Sequence, residues 1–190
     1  MPQNQPKAPN MPDDVPVLTR HIALVGLMGA GKSKIGKALS TVFDVPFIDT
    51  DDVIEEIAGM SIANIFELYG EEKFRDIEAR EIKRLVNDAP AILSTGGGAF
   101  MRDETRKIIN NNALSVWLKA APATLVGRIS NTDSRPLLRD RNPVEVLTAL
   151  SDKRSPYYEQ AHLIIDTDGM SLNDAIKTVT NVMITTISKT

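Results

Sequence analysis

Gly26-Leu27-Met28-Gly29-Ala30-Gly31-Lys32-Ser33 fits the spacing G-x4-G-K-[S/T], and each of its residue types has a use around phosphate oxygens. Glycines let backbone N–H groups curl round an anion with no side chain in the way. A lysine at this point reaches the β- and γ-phosphates as a mobile charge, and the serine hydroxyl can ligate Mg²⁺. Gly29, Ala30, Gly31, Lys32, Ser33 and Lys34 are therefore the candidate nucleotide contacts, with Ser33 also a candidate metal ligand.

A second group of candidates is acidic. Phosphate-loop enzymes hold Mg²⁺ with the loop hydroxyl and an acid that ends another apolar strand. The stretch Ala91-Ile92-Leu93 would supply it, yet it runs into Ser94 and glycines. Asp49 or Asp51, after Phe47-Ile48, must then serve. Aspartates also favour helix starts, and Asp52 is the one expected to cap the helix that follows. Gly96-Gly97-Gly98 is either a plain turn or a place where backbone approaches a ligand closely. Arg75 and Arg154 fall on expected helices, where arginine is usually a solvated charge, so periodicity selects neither. Residues 130–142 hold Arg135, Arg139 and Arg141 and little apolar content beyond Leu137 and Leu138. A stretch of that length between two helices fits a lid over phosphates. His21, His162, Trp117, Tyr157 and Tyr158 read as structural or packing residues.

The elements that must position these residues follow from periodicity. His21–Val25 reads as a buried parallel strand, and Ile35, Ala38, Leu39 and Val42 mark one face of the next helix. Further strands are expected at 45–48, 91–94, 113–118 and 163–166. Helices are expected at 53–58, closed by Gly59, and from Ser61 to Tyr69, stopped by Gly70. Others should cover 71–87, 102–110, 122–129, 143–160 and a last one capped by Ser171. Five short apolar strands alternating with helices give a parallel sheet covered on both faces. Ligands of such sheets bind at the carboxyl ends of the strands, which puts Gly26–Ser33, Asp49–Asp51 and Gly96–Gly98 on one rim.

The chain has 190 residues, no cysteine, two histidines and a net charge of −3. Disulfides, thiol chemistry and a histidine metal cluster are thereby excluded, and there is no basic field for nucleic acid. No apolar run approaches the ~20 residues of a membrane span. Residues 1–18 carry prolines at 2, 6, 9, 12 and 16 and read as a disordered tail before a single domain at 19–190. A soluble, cytoplasmic protein is expected.

Taken together, these stretches resemble shikimate kinase, a family within the nucleoside-monophosphate-kinase group of P-loop folds. The matching residues are Gly26–Ser33, Phe47-Ile48-Asp49-Thr50-Asp51, Ile62-Ala63-Asn64-Ile65-Phe66 and Phe74-Arg75-Asp76-Ile77-Glu78. Thr95–Ala99, Arg135-Pro136-Leu137-Leu138 and Arg154-Ser155-Pro156-Tyr157-Tyr158 continue the match in the family's order, over about residues 21 to 166. The resemblance implies an α/β three-layer P-loop NTPase fold: a five-stranded parallel sheet flanked by helices, with a mobile lid. It implies Lys32, Asp51 and Arg135 as catalytic residues, and Asp51, Arg75, Gly97, Gly98 and Arg154 as shikimate contacts. Glu78 would orient the substrate-side arginine, Asp49 would stand near Mg²⁺, and Arg128 and Arg135 would face the nucleotide. The implied reaction moves the γ-phosphoryl of ATP to the 3-hydroxyl of shikimate, in a monomer, on the route to aromatic amino acids.

Two rivals belong beside it. Gluconate kinase shares the loop and a similar fold, but Asp49-Thr50-Asp51, Phe74-Arg75 and Gly96–Gly98 favour shikimate. A nucleotide-dependent switch would need an Asn-Lys-x-Asp motif, which is absent. Asp166-Thr167-Asp168-Gly169 mimics the D-x-x-G of such switches but lies much too far along the chain.

Overall fold

The computed structural model describes residues 15–129 and 142–189. In chain order the elements are β1 (His21–Val25), α1 (Lys32–Phe43), β2 (Phe47–Asp49), α2 (Thr50–Ala58), α3 (Ile62–Leu85) and β3 (Ile92–Ser94). A 3₁₀ turn (Ala99–Met101) leads to α4 (Asp103–Asn112), β4 (Ala113–Lys119), α5 (Pro122–Arg128), α6 (Pro143–Tyr158), β5 (Leu163–Asp166) and α7 (Leu172–Ile187). The strands pair in the order β2-β3-β1-β4-β5, all parallel. A parallel sheet needs crossover helices on its faces, which is why β1 reads as an unbroken apolar run and is buried along its whole length.

The main core lies between the sheet and its helices. Ile22, Leu24, Ile92, Leu93, Val116 and Leu118 fill the strand layer, and Leu39, Ile109, Leu147 and Val179 come from α1, α4, α6 and α7. A second, smaller cluster stands apart: Ile54 of α2 with Ile65 and Phe74 of α3. Leu18 is buried in the main core and Val15 packs against it, although both lie within the stretch expected as tail. Among the described residues no helix is long and apolar enough to cross a membrane.

Several expectations need adjustment. The buried face of α1 is Ile35, Gly36, Leu39 and Phe43, while Ala38 and Val42 are half-buried. The reason is Gly36: a β-carbon there would lie 2.5 Å from the Phe47 ring, so helix and strand pack at backbone distance. The helix after β2 starts at Thr50 rather than Val53, and its cap is Asp49, not Asp52. Asp49 has extended backbone and its Oδ1 accepts the Asp51 N–H at 3.2 Å. Gly70 does end the first helix as expected: its backbone is non-helical, with φ 81° and ψ 168°, so α3 is two helices meeting at a kink there. Ser61 and Ser171 cap α3 and α7, and Gly59 closes α2 in the left-handed region.

Candidate active site

The loop after β1 is held in a form that exposes backbone donors. Gly29 has φ +81°, and a β-carbon on it would lie 2.6 Å from the Leu125 carbonyl oxygen, so only glycine fits. Lys32 Nζ donates to the carbonyls of Gly26 at 2.8 Å and Leu27 at 3.0 Å, which folds its side chain over the loop. No side chain caps α1. The amides of its first turn, with the positive end of the helix dipole, therefore face out of the N-terminus toward any anion seated there. Ala30 is buried under the loop, and Lys34 is exposed in the same first turn.

Beside the loop, three oxygens from three elements meet. Ser33 Oγ donates to Asp49 Oδ2 at 2.8 Å and lies 3.4 Å from Ser94 Oγ. Parallel pairing causes this, because Asp49 and Ser94 are register partners at the ends of β2 and β3. Ser94 thus occupies the strand end where an acid was looked for, and the carboxylate comes from the neighbouring strand. Hard oxygen donors of this kind suit Mg²⁺, which takes one or two protein ligands and completes its shell with phosphate oxygens and water. Among the described residues there is no group of three or more His, Cys, Asp or Glu that could cage a metal alone.

The other half of the site is organised on Gly96–Gly98, where three consecutive residues without side chains meet different partners. A β-carbon on Gly96 would lie 2.7 Å from Asp51 Oδ1 and 2.9 Å from Glu78 Oε1. One on Gly97 would lie 3.4 Å from Arg154 Nη1, 3.6 Å from the Gly26 carbonyl oxygen and 3.8 Å from the Met28 nitrogen. One on Gly98 would overlap the Arg75 guanidinium. The glycine run therefore brings Asp51, Arg75, Arg154 and the phosphate loop to one place. The turn is pinned by Thr95 Oγ1 donating to the Leu24 carbonyl at 3.1 Å and by the Gly96 N–H donating to Thr50 Oγ1 at 3.3 Å.

Charge in this half is balanced inside the protein. Arg75 Nη1 donates to Glu78 Oε2 at 2.7 Å and Nη2 to Glu71 Oε1 at 3.2 Å, and its guanidinium lies 5.1 Å from the Phe74 ring centre. Glu78 is fully buried. Burial pushes its carboxyl up to about 7 against the opposing pull of Arg75. Arg154 Nη1 donates to the Gly97 carbonyl at 2.9 Å, and Tyr158, expected only to pack, donates its hydroxyl to the same oxygen at 2.5 Å.

Arg128 is placed at the end of α5, where it donates to Thr167 Oγ1 at 3.1 Å and to the carbonyls of Thr167 at 2.6 Å and Met170 at 3.1 Å. It ties α5 to the loop after β5. Arg135 and the expected lid lie outside the described residues, apart from Asn142, which caps α6 by accepting the Val144 N–H. The histidines serve the fold. His21 Nδ1 accepts the Ala91 N–H, and His162 Nδ1 accepts that of Ser115. Ser94 and Tyr158 are the residues that reading the sequence missed, and only strand order and helix packing bring them in.

Comparison with known proteins adds relatives to this geometry. The sequence model described as shikimate kinase matches residues 28–184. The shikimate kinase of Caulobacter vibrioides is 48% identical over 82% of this chain and 78% of its own length. That of Ruegeria pomeroyi is 47% identical over 80% and 78%. Among solved structures, a shikimate kinase from Acinetobacter baumannii in complex with shikimate superposes with a TM-score of 0.82 at 32% identity, covering 88% of this chain and 94% of that one. A gluconokinase from Sinorhizobium meliloti superposes at 0.61 with 17% identity over 92% and 97%, a likeness of fold alone.

Proposed function

The chain belongs to the shikimate kinase family, and from that premise we propose that it transfers the γ-phosphoryl group of ATP to the 3-hydroxyl of shikimate. The products are shikimate 3-phosphate and ADP. The observation that carries this reading is the abutment of Gly97 on the backbone of Gly26 and Met28. An acceptor seated against the glycine run, between Arg75 and Arg154, lies beside the end of the phosphate loop. Shikimate suits that place. Its carboxylate matches an arginine pair, and its hydroxyls match a carboxylate acceptor.

In this proposal the amides of Gly29–Ser33 cradle the phosphates, and Lys32 exchanges its bonds to the Gly26 and Leu27 carbonyls for phosphate oxygens. Ser33 and Asp49 would hold Mg²⁺, which when bound neutralises charge on the phosphates. Asp51 accepts a hydrogen bond from the 3-hydroxyl, aims its oxygen at phosphorus, and takes the proton as the new P–O bond forms and the bond to the β-phosphate oxygen breaks. Phosphoryl transfer passes through a loose transition state, so orientation and charge stabilisation contribute more than base strength. Arg135 would add positive charge on the transferring group, and Arg128 holds the loop beside which adenine would lie. We further propose that it acts as a monomer in the cytoplasm.

The test is ADP release from Mg-ATP by the purified protein with shikimate, with gluconate and with no acceptor. Release that depends on shikimate is the expected result. Release with gluconate alone would overturn the acceptor assignment and leave the nucleotide half standing.

A further inference from the structure

Tyr158 is fully buried, and burial of a hydroxyl costs free energy unless it finds a partner. Its ring needs none of that oxygen. It packs between Trp117, 5.5 Å away centre to centre, and Phe100, 6.4 Å away, as a phenylalanine could. The hydroxyl is spent on the Gly97 carbonyl at 2.5 Å, the oxygen that also accepts from Arg154 Nη1 at 2.9 Å. A carbonyl oxygen has two lone pairs, and both are used here. Arg154 and Tyr158 stand one turn apart on α6, so one helix face delivers both donors. Burial pushes the phenol up to about 12 against the pull of Arg154, so it is a proton donor throughout the neutral range.

We propose that Tyr158 is a positioning residue for the acceptor half of the site: its hydroxyl fixes the Gly97 carbonyl and, through that shared oxygen, the guanidinium of Arg154. With the Gly97 oxygen held on two sides, Arg154 is tied down through Nη1 and stands directly beside the Tyr158 hydroxyl, which sets how its guanidinium is presented to a carboxylate. Remove the hydroxyl and the carbonyl can rotate, taking Arg154 with it. The role does not extend to the nucleotide. Tyr158 nears the phosphate loop through Trp117, whose Cδ1 lies 3.3 Å from where a β-carbon on Gly26 would stand, and through Gly97, which abuts Gly26 and Met28, but its hydroxyl bonds the Gly97 carbonyl and not that loop. The assignment rests on the reading of the acceptor as shikimate.

Tyr158→Phe removes one oxygen and leaves the ring. Calorimetric titration with shikimate and, separately, with a non-hydrolysable ATP analogue and Mg²⁺ gives the two affinities, and thermal melting gives stability. The expected result is a shikimate Kd weakened about five- to tenfold, the order of one lost hydrogen bond, with nucleotide Kd unchanged. Combined with Arg154→Lys, the double variant should lose less than the product of the two single losses, since both side chains act through one oxygen. An unchanged shikimate Kd overturns the proposal, and so does an equal weakening of both ligands with a lowered Tm, which a purely structural role would give. Should Tyr158→Phe not fold, 3-fluorotyrosine at position 158 keeps ring and hydroxyl but changes donor strength. The same selective change in shikimate Kd is then required, and its absence overturns the role. The parent protein separates the two levels. A parent that fails to bind shikimate overturns the proposed function with this inference, whereas a variant matching a binding parent overturns only the role of Tyr158.

Discussion

At the scale of single residues, the acceptor half depends on atoms that are not there. Gly98 leaves the space that the Arg75 guanidinium fills, so Gly98→Ala must displace the arginine rather than merely crowd it. The expected outcome is a shikimate KM raised about tenfold, equivalent to about 1.4 kcal/mol, with KM for ATP unchanged in steady-state assays. Glu78 carries a different consequence. Its carboxyl sits near 7 in the folded protein, well above the ordinary carboxylate value, because burial penalises its charge more than Arg75 rewards it. The folded state therefore binds this proton from about pH 7 downward, while the unfolded chain binds it only near 4.5. This group's contribution to stability is full below about pH 4.5 and is lost as pH rises to about 7. Urea unfolding of the parent and of Glu78→Gln across that window should show a shallower pH dependence in the variant. None of this was legible from residue types. An arginine on a helix is ordinarily solvated, and only the fold reveals that Arg75 and Glu78 are enclosed.

At the scale of elements, reading the sequence went further, because strands and caps are local. The segment Phe47–Asp49 ends in a carboxylate that begins α2, and the same carboxylate faces Ser33. Cap and metal ligand are not exclusive roles: Oδ1 of Asp49 accepts the Asp51 N–H as the cap, while Oδ2 faces Ser33 and is the oxygen proposed for Mg²⁺. Substitutions separate the roles. Asn is as good a cap as Asp, so Asp49→Asn should unfold in urea within about 0.5 kcal/mol of the parent while needing more Mg²⁺ for half-maximal rate. Asp49→Ala should lose about 1 kcal/mol of stability in addition. Cap residues at Ser61 and Ser171 were legible for the same reason, as their partners lie three residues away. Strand order was not. Ser94 meets Ser33 across 61 residues of chain, and Tyr158 meets Gly97 across the same separation. No periodicity encodes such meetings.

At the scale of the whole molecule, the rim of the sheet gathers the site as the parallel topology demands, and the meeting of Gly26–Ser33, Asp49–Asp51 and Gly96–Gly98 on that rim was readable in advance. What the topology adds is a division of the apolar interior. Ile54, Ile65 and Phe74 form a cluster of their own, built from α2 and α3, the helices that carry Asp51 and Arg75. Arg154 and the glycine run stand on elements anchored in the main core. A small separate cluster with few neighbours is a cooperative unit able to open while the rest of the protein stays closed. Amide hydrogen exchange followed by mass spectrometry should find α2 and the first half of α3 exchanging faster than β1 and β4. Shikimate held between Arg75 and Arg154 would fasten one unit to the other, so its addition should slow exchange in α2 and α3 and leave β1 and β4 as they were. The substrate would then be, for as long as it stays bound, part of what keeps the two interiors together.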